Sequence, residues 1–525
     1  MRHMYKYSNN KYAPKKKKRF RLHQVFLIVV FSSLILFSVS AWNLTEPFRY
    51  NRIENDENFH TEVKIVKHYF VPVAQITSLK VDVTLDELQA QNLLTISDNV
   101  DIFPNGYSAD VVSEDDFINS LTGEQIGLIT PDKVKPNMKT LTVDGLNFWD
   151  KNTKLDEYPL WFEEKIPDEI GYEFNFEQES VSTIFIGGEI IPARAVDRLG
   201  LNVHNNYTYL YDFVRQDIEN ADLAIAQLEN PLMGDPVPCT GCTVFVGDER
   251  VAKGLSEVGF DVLAASGNHM GDGGQKAYET TIKALDDAGI FYTGFGKGVD
   301  EQMKPAIFDI NGQKVGMISA DDVSYFYWSN DKNIYGVNTF STASNGQLKI
   351  DNEKIQRISK IKAENEIDYL IIYESWGIEY TNRANAHQVE LAHAFIDNGA
   401  DLVVASHPHW VQNIEFYKEK PIFYALGNFI FDQTHTLPTR QSVVANLYYY
   451  EGNLKSIELI PLQTCGYHQT KNDLTSIYLQ GEISLESLIN KPEAEGCVWW
   501  QPRKLSQSSP EFQQILERIF EFSRF

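Results

Sequence analysis

From Val181 onward, short apolar runs alternate with stretches of helical period. Buried strands read as short apolar runs bounded by breakers. On that pattern Val181 to Ile186, Ala224 to Ala226, Val262 to Ala264, Tyr369 to Tyr373, Leu402 to Ala405 and Ile422 to Ala425 are predicted strands. Helices are predicted near Tyr209 to Ile218 and over Glu249 to Val258, Gly274 to Ala288 and Ala384 to Asn398, the last closed by Gly399. Ala306 to Ile310 and Gln313 to Ser319 read as a hairpin across Asn311-Gly312, and Ser442 to Tyr450 with Asn453 to Leu462 as another across Glu451-Gly452. Strand–helix alternation with late hairpins predicts an α/β sandwich of mixed sheets. Upstream the pattern is weaker. Strands are expected within Ile65 to Val83, and short helices over Asp86 to Asn92 and Glu114 to Leu121. Residues 43–180 therefore read as a smaller α/β accessory domain, whose acidic end, residues 164–180, reads as a linker.

Val25 to Ala41 is apolar except for four serines and follows Lys15-Lys16-Lys17-Lys18-Arg19. That length is near the lower limit for a spanning helix, and the basic flank keeps the N-terminus in the cytoplasm. Residues 1–24 are thus expected to be a basic cytoplasmic tail and 25–42 a single-pass transmembrane anchor. The rival is a signal peptide cleaved after Ser38-Val39-Ser40-Ala41. Both readings place the main domain outside the cytoplasm. The net charge is −25, and the first 24 residues hold nine Lys or Arg and no Asp or Glu, which leaves 38 basic against 72 acidic residues. Such a surface repels nucleic acid and anionic lipid headgroups and argues against nucleic acid as a partner. Cys239, Cys242, Cys465 and Cys497 are expected to be oxidised and structural in an exported chain.

The chemistry gathers at predicted strand ends. Gly187-Gly188-Glu189 follows the first strand, with Arg194 five residues on. Gln227-Leu228-Glu229-Asn230-Pro231 follows the second, and Gly267-Asn268-His269 the third, with Asp272 opening the next helix. His407-Pro408-His409 follows Leu402 to Ala405, and Gly427-Asn428 offers another loop amide. Each taken alone reads as an ordinary strand exit or capped turn. Together they supply carboxylates, an amide oxygen and three imidazoles at one sheet edge, where α/β sites form. Such mixed sets suit Mn, Fe or Zn, often as two ions that activate water against a phosphate. The metal set is then Glu189, Glu229, Asn268, His269, His407 and His409, with His269, Arg194 and Asp272 in catalytic or orienting roles. His387 and His393 lie six apart on one helix and read as surface or packing residues; Gly294 to Gly298 lacks Walker spacing. Phe512 to Phe520 reads as an amphipathic helix docking on its own domain.

The ordered motifs Ile184 to Glu189 with Arg194, Gln227 to Leu232, Gly267 to Gly274, Trp376 to Tyr380, His407 to His409 and Leu426 to Asp432 resemble the CapA family of poly-γ-glutamate capsule biosynthesis proteins. The likeness covers 181–465 and leaves 466–525 as a C-terminal extension. It implies a four-layer α/β/β/α metallophosphatase-like sandwich, membrane association, and work on an anionic polymer with the capsule-synthesis machinery. Three departures stand out. Glu189 replaces the family's usual Asp, Gly267 the first Asn of Asn-Asn-His, and Ser375 the His before Trp-Gly. They leave three functions open: a capsule protein that binds metal, a metal-dependent phosphoesterase with another substrate, and a metal-free polymer-binding scaffold.

Overall fold

In the computed structural model, residues 63–167, 176–200, 204–234, 244–344, 346–434, 436–464 and 500–524 are described. The expected tail, anchor and all four cysteines lie outside these residues. Among the described residues, no helix is long and apolar enough to cross a membrane.

Two mixed sheets carry the larger part of the chain. The first orders its strands Phe291–Thr293, Val262–Ala264, Leu223–Leu228, Val181–Ile190, Gln441–Tyr450, Asn453–Thr464 and Pro502–Lys504, with Asn428–Ile430 beside the far half of Val181–Ile190. The second orders Ala306–Ile310, Gln313–Asp321, Tyr369–Ser375, Leu402–Ser406, Lys420–Phe423 and Ile414–Tyr417. Val181–Ile190 and Leu402–Ser406 are buried at every position, as strands covered on both faces must be.

Alternation along each strand sorts the side chains between layers. Phe185, Ala224 and Leu263 join Val251, Leu255 and Leu285 in a core under the helices Arg250–Val258 and Gly274–Ala288. Their neighbours Ile184, Ile186 and Ile225 pack instead against Met317, Ile371 and Val404 of the second sheet. On that sheet's far side Ile318, Ile372 and Val403 meet Ile355, Leu391 and Phe395 of the helices Asn352–Glu364 and Ala386–Asp397. Each such fully buried side chain contributes about 1.5–3 kcal/mol of transfer free energy.

Both predicted hairpins form. Asn311 and Gly312 have φ of 50° and 82°, and Glu451 and Gly452 50° and 77°, the left-handed pairs that a two-residue turn requires. Other expectations need correction. The strand predicted to stop at Ile186 runs to Ile190 through a bulge at the glycines. The helix expected over Tyr209 to Ile218 is a 3-10 turn, Thr208–Tyr211, and a separate helix, Arg215–Asn220. The physical reason is that Tyr209, Leu210 and Tyr211 are all buried, which one face of a helix cannot do. The helix Asn352–Glu364, which pattern missed, starts at Asp351, whose side chain accepts from Glu353 and Lys354 N–H.

Residues 164–167, expected to open the acidic linker, belong instead to the strand Trp161–Pro167, paired with Val63–Tyr69. Glu163 and Lys165 are exposed, with Lys67 beside Glu163, while Glu164 on the other face meets His68 Nε2 at 3.0 Å. A five-stranded sheet, Ser108–Val112, Asn92–Ile96, Gly127–Ile129, Val71–Gln75 and Met138–Thr140 in order, holds its own core around Phe70, Leu128 and Trp149. That core shares Val181, Tyr448 and Tyr450 with the first large sheet. Near the C-terminus, Pro502–Lys504 completes the first sheet, and the helix Pro510–Phe520 sends Phe512, Ile515 and Ile519 into the core between the sheets.

Candidate metal centre

The site lies where the strands of both sheets end. Glu189 stands in register with Asn428 on one flank and Gln227 on the other. The neighbouring strand is so close that a Cβ on Gly188 would lie 2.2 Å from the Gly427 carbonyl oxygen. Only glycine permits that approach, which is why the bulge falls here. From the second sheet, Ser375 and Ser406 sit in register, and the chain then turns out through His407-Pro408-His409. His407 and His409 have φ of 91° and 58°. Side chains rarely adopt such backbone, and it persists where surrounding bonds hold it.

Those bonds converge on Glu189, which is fully buried. One carboxylate oxygen accepts the His407 backbone N–H, and the other lies 2.7 Å from His409 Nδ1. Asn428 Oδ1 also meets His409 Nδ1, at 2.8 Å. Asn268 Oδ1 meets His407 Nδ1 at 3.1 Å. Asp272 Oδ2 holds His269 Nδ1 at 2.7 Å and accepts the Phe245 N–H at 2.6 Å. All three imidazoles are thus anchored through Nδ1. No described hydrogen bond uses their Nε2 atoms, the arrangement by which metal-binding histidines are usually oriented.

The charges are unevenly settled. Burial disfavours charge on both Glu189 and His409, but their mutual attraction outweighs it, lowering the Glu189 pKa and raising that of His409. His407 is pushed down to about 3 by burial and by the His409 charge, so it is a neutral imidazole. Glu229 is pushed well above the usual carboxylate range, by burial first and then by Glu189, Asp321, Asp272 and Glu379. Both of its oxygens are buried without a hydrogen-bond partner, as are both polar atoms of Gln227.

Not every predicted residue enters this network. Glu229 lies beside it, pressed against Gly267, where a Cβ would fall 2.3 Å from Glu229 Oε2. The Arg194 guanidinium is held by Asp432 through two hydrogen bonds and lies 5.0 Å from the rings of Phe245 and Phe431. Its anion is therefore a residue of this chain. Phe245 in turn lies 4.2 Å from the His269 ring. Among the described residues, no three His, Cys, Asp or Glu side chains already close around one point. Ser375 Oγ and both carboxyl oxygens of Glu374 are buried without a partner, and burial, then Asp322 and Asp321, push the Glu374 pKa well up.

Sequence reasoning missed two residues. Tyr373, fully buried, donates from its hydroxyl to the Gly187 carbonyl at 2.9 Å and meets Ser406 Oγ at 2.9 Å, tying one sheet to the bulge of the other. Tyr327 donates to Asp272 Oδ1 at 2.6 Å. Neither carries a local motif, since their partners are set by packing between distant segments.

Residues 183–433 match the model of the bacterial capsule synthesis protein PGA_cap family. The chain is 29% identical over 347 residues to the capsule biosynthesis protein CapA of Bacillus anthracis, covering 64% of this chain and 80% of that one. It is 27% identical over 291 residues to the PGA biosynthesis protein CapA of Bacillus subtilis, covering 55% and 72%. A probable polyglutamine synthesis accessory protein of Mycobacterium tuberculosis is 25% identical over 214 residues, covering 38% of this chain and 55% of that one.

Proposed function

The chain belongs, through residues 183–433, to the bacterial capsule synthesis PGA_cap family, and from that premise we propose that it is a membrane-anchored, extracytoplasmic, metal-binding protein acting on an anionic capsule polymer. It is a CapA-like capsule biosynthesis protein; the anchor, the location, the metal and the polymer contact are the proposal. The order helix, sheet, sheet, helix supports reading residues 181–465 as the four-layer metallophosphatase-like sandwich. The basic flank and apolar run before residue 43 support the anchor.

The observation that carries the metal reading is the pairing of Nδ1-anchored histidines with the unpartnered oxygens of buried Glu229. A buried carboxylate with no donor is poorly settled, and a cation resolves it. Glu189, Glu229, His269, His407 and His409 would hold the ion, with Asn268 either among them or orienting His407 as it does here. A bound Mn, Fe or Zn ion would supply Lewis acidity and an activated water toward a phosphoester. Asp272, bonded at Nδ1, would orient the His269 ring toward the ion.

The test is metal content of the full chain in detergent, with a phosphodiester assay alongside. Bound metal in the parent chain, lost from His407→Ala plus His409→Ala, is expected. Metal retained by the double variant refutes the site. One observation favours a second reading, a metal-free scaffold: Ser375 stands where the family's fourth His would be. A metal-free parent chain that still binds polymer decides for it. Turnover of phosphodiesters without polymer binding decides for an unrelated phosphoesterase.

A further inference from the structure

The five-stranded sheet, the two large sheets and the C-terminal segment enclose a cavity of about 230 Å³, and no residue of the metal centre lines it. Val81 and Lys139 come from the five-stranded sheet and its loops, Phe416 and Leu459 from the large sheets, and Leu505 and Phe520 from the C-terminal segment. Val81, Phe416, Leu459, Leu505 and Phe520 pack on the core between the large sheets yet stay only partly buried. All five line the cavity, so apolar surface remains there for a ligand to cover.

Four charged residues share the lining: Lys139, Lys504, Asp217 and Glu458. Three of them find partners within the chain. Lys504 Nζ lies 2.5 Å from Asp217. Glu458 accepts the Tyr448 hydroxyl at 2.7 Å and the Asn446 amide at 3.3 Å. Lys139 is the exception. Its Nζ donates to the Ser78 carbonyl at 2.6 Å, and among the described residues no carboxylate pairs with it. Burial alone acts on the amine, pushing it down to about 7. A cation taken out of water without an anion is costly, and a bound anion offsets that cost.

An apolar wall with one unmatched cation selects a ligand with an apolar body and a single negative group. A second negative charge on the ligand would fall among Glu458 and Asp217. The cavity exceeds the roughly 150 Å³ that admits benzene and lies below the roughly 300 Å³ at which drug-sized sites begin, so the body is small. We infer that this cavity binds a small monocarboxylate amphiphile of the medium-chain fatty-acid class. Its carboxylate sits on Lys139 and its chain lies among Phe416, Leu459, Leu505 and Phe520. The ligand touches the five-stranded sheet, both large sheets and the C-terminal helix at once, so its binding stabilises their joint packing.

The experiment places the full chain in nanodiscs of zwitterionic lipid and titrates octanoate, isotope-labelled at its carboxyl carbon, by nuclear magnetic resonance. Empty nanodiscs supply the signal of octanoate dissolved in lipid. A separate, saturable carboxyl resonance is expected with the parent chain, together with a thermal midpoint that rises with octanoate. Lys139→Met removes the cation and should weaken binding by roughly tenfold or more. Leu505→Trp fills the cavity, leaves Lys139 in place and should weaken binding by a similar factor. Octanol, with the same chain and no charge, should fail to displace octanoate at equal concentration. A parent chain without the saturable resonance overturns the site. Binding unchanged in Lys139→Met, or unchanged in Leu505→Trp, overturns the placement of the carboxylate or of the chain. Displacement by octanol as effective as by unlabelled octanoate overturns recognition of the charge.

Discussion

Gly267→Ala isolates the close packing on which the centre depends. A Cβ at this position would lie 2.3 Å from Glu229 Oε2, 2.5 Å from Glu229 Cα and 2.5 Å from its carbonyl oxygen. The first atom ends a side chain and can move. The other two belong to a backbone fixed between parallel strands, so the segment Gly267-Asn268-His269 itself must shift. Overpacking of this kind costs about 1–3 kcal/mol, and a backbone clash belongs at the upper end. The expected loss of about 3 kcal/mol is roughly a hundredfold in the folded-to-unfolded ratio. Urea unfolding followed by tryptophan fluorescence measures it. A double-mutant cycle with Glu229→Ala separates the two contributions: removing the carboxylate relieves only the side-chain part, so rescue should be partial. An unchanged midpoint in Gly267→Ala would refute the close approach, and complete rescue by Glu229→Ala would refute the backbone part. The same shift moves Asn268 away from His407, so metal content should fall even where the variant is folded.

Three further outcomes are expected. Arg194→Ala leaves the Asp432 carboxylate buried with only the Ala195 N–H at 3.1 Å, and should lower stability by about 3 kcal/mol; the double change with Asp432→Ala should cost less than the sum, which a denaturation cycle checks. Tyr373→Phe removes the hydroxyl bond to Gly187 between the sheets and the one to Ser406 within the second sheet, and should cost about 1–2 kcal/mol in the same assay, and no change there would show the tie to be idle. Asp197 is pushed up to about 7, by burial first and by the Asp248 charge, against the hydrogen bond that Tyr207 donates to it. A carboxyl whose folded pKa exceeds its unfolded value contributes stability that is full below about pH 4 and is lost as pH rises through about 7. Urea midpoints should therefore fall between those values, and Asp197→Asn should flatten that slope; an unaltered slope would exclude Asp197 as its source.

Much of the site was legible one motif at a time. Glu189, Asn268, His269 and the His407-Pro408-His409 turn were each readable as polar groups closing an apolar run, and the structure joins Glu189, Asn268, His407 and His409 in one network, with His269 held separately by Asp272. Asp432 lay inside a recognisable motif, yet its role was hidden, because its partner Arg194 is 238 residues away. The split after Tyr211 was hidden too, since a tyrosine counts as polar or apolar only once its surroundings are known.

By itself the sequence determined the alternation of strand and helix, both two-residue hairpins and the polar ends of the strands. These follow from side-chain period and from backbone preferences within a few residues. Only the tertiary structure decided which ends meet and what each polar atom finds there. Glu229 reads like Glu189 in the chain, but Glu189 gains two histidines and Glu229 faces carboxylates. That difference comes from burial and from charges on other strands, which act through space and leave no trace in local pattern.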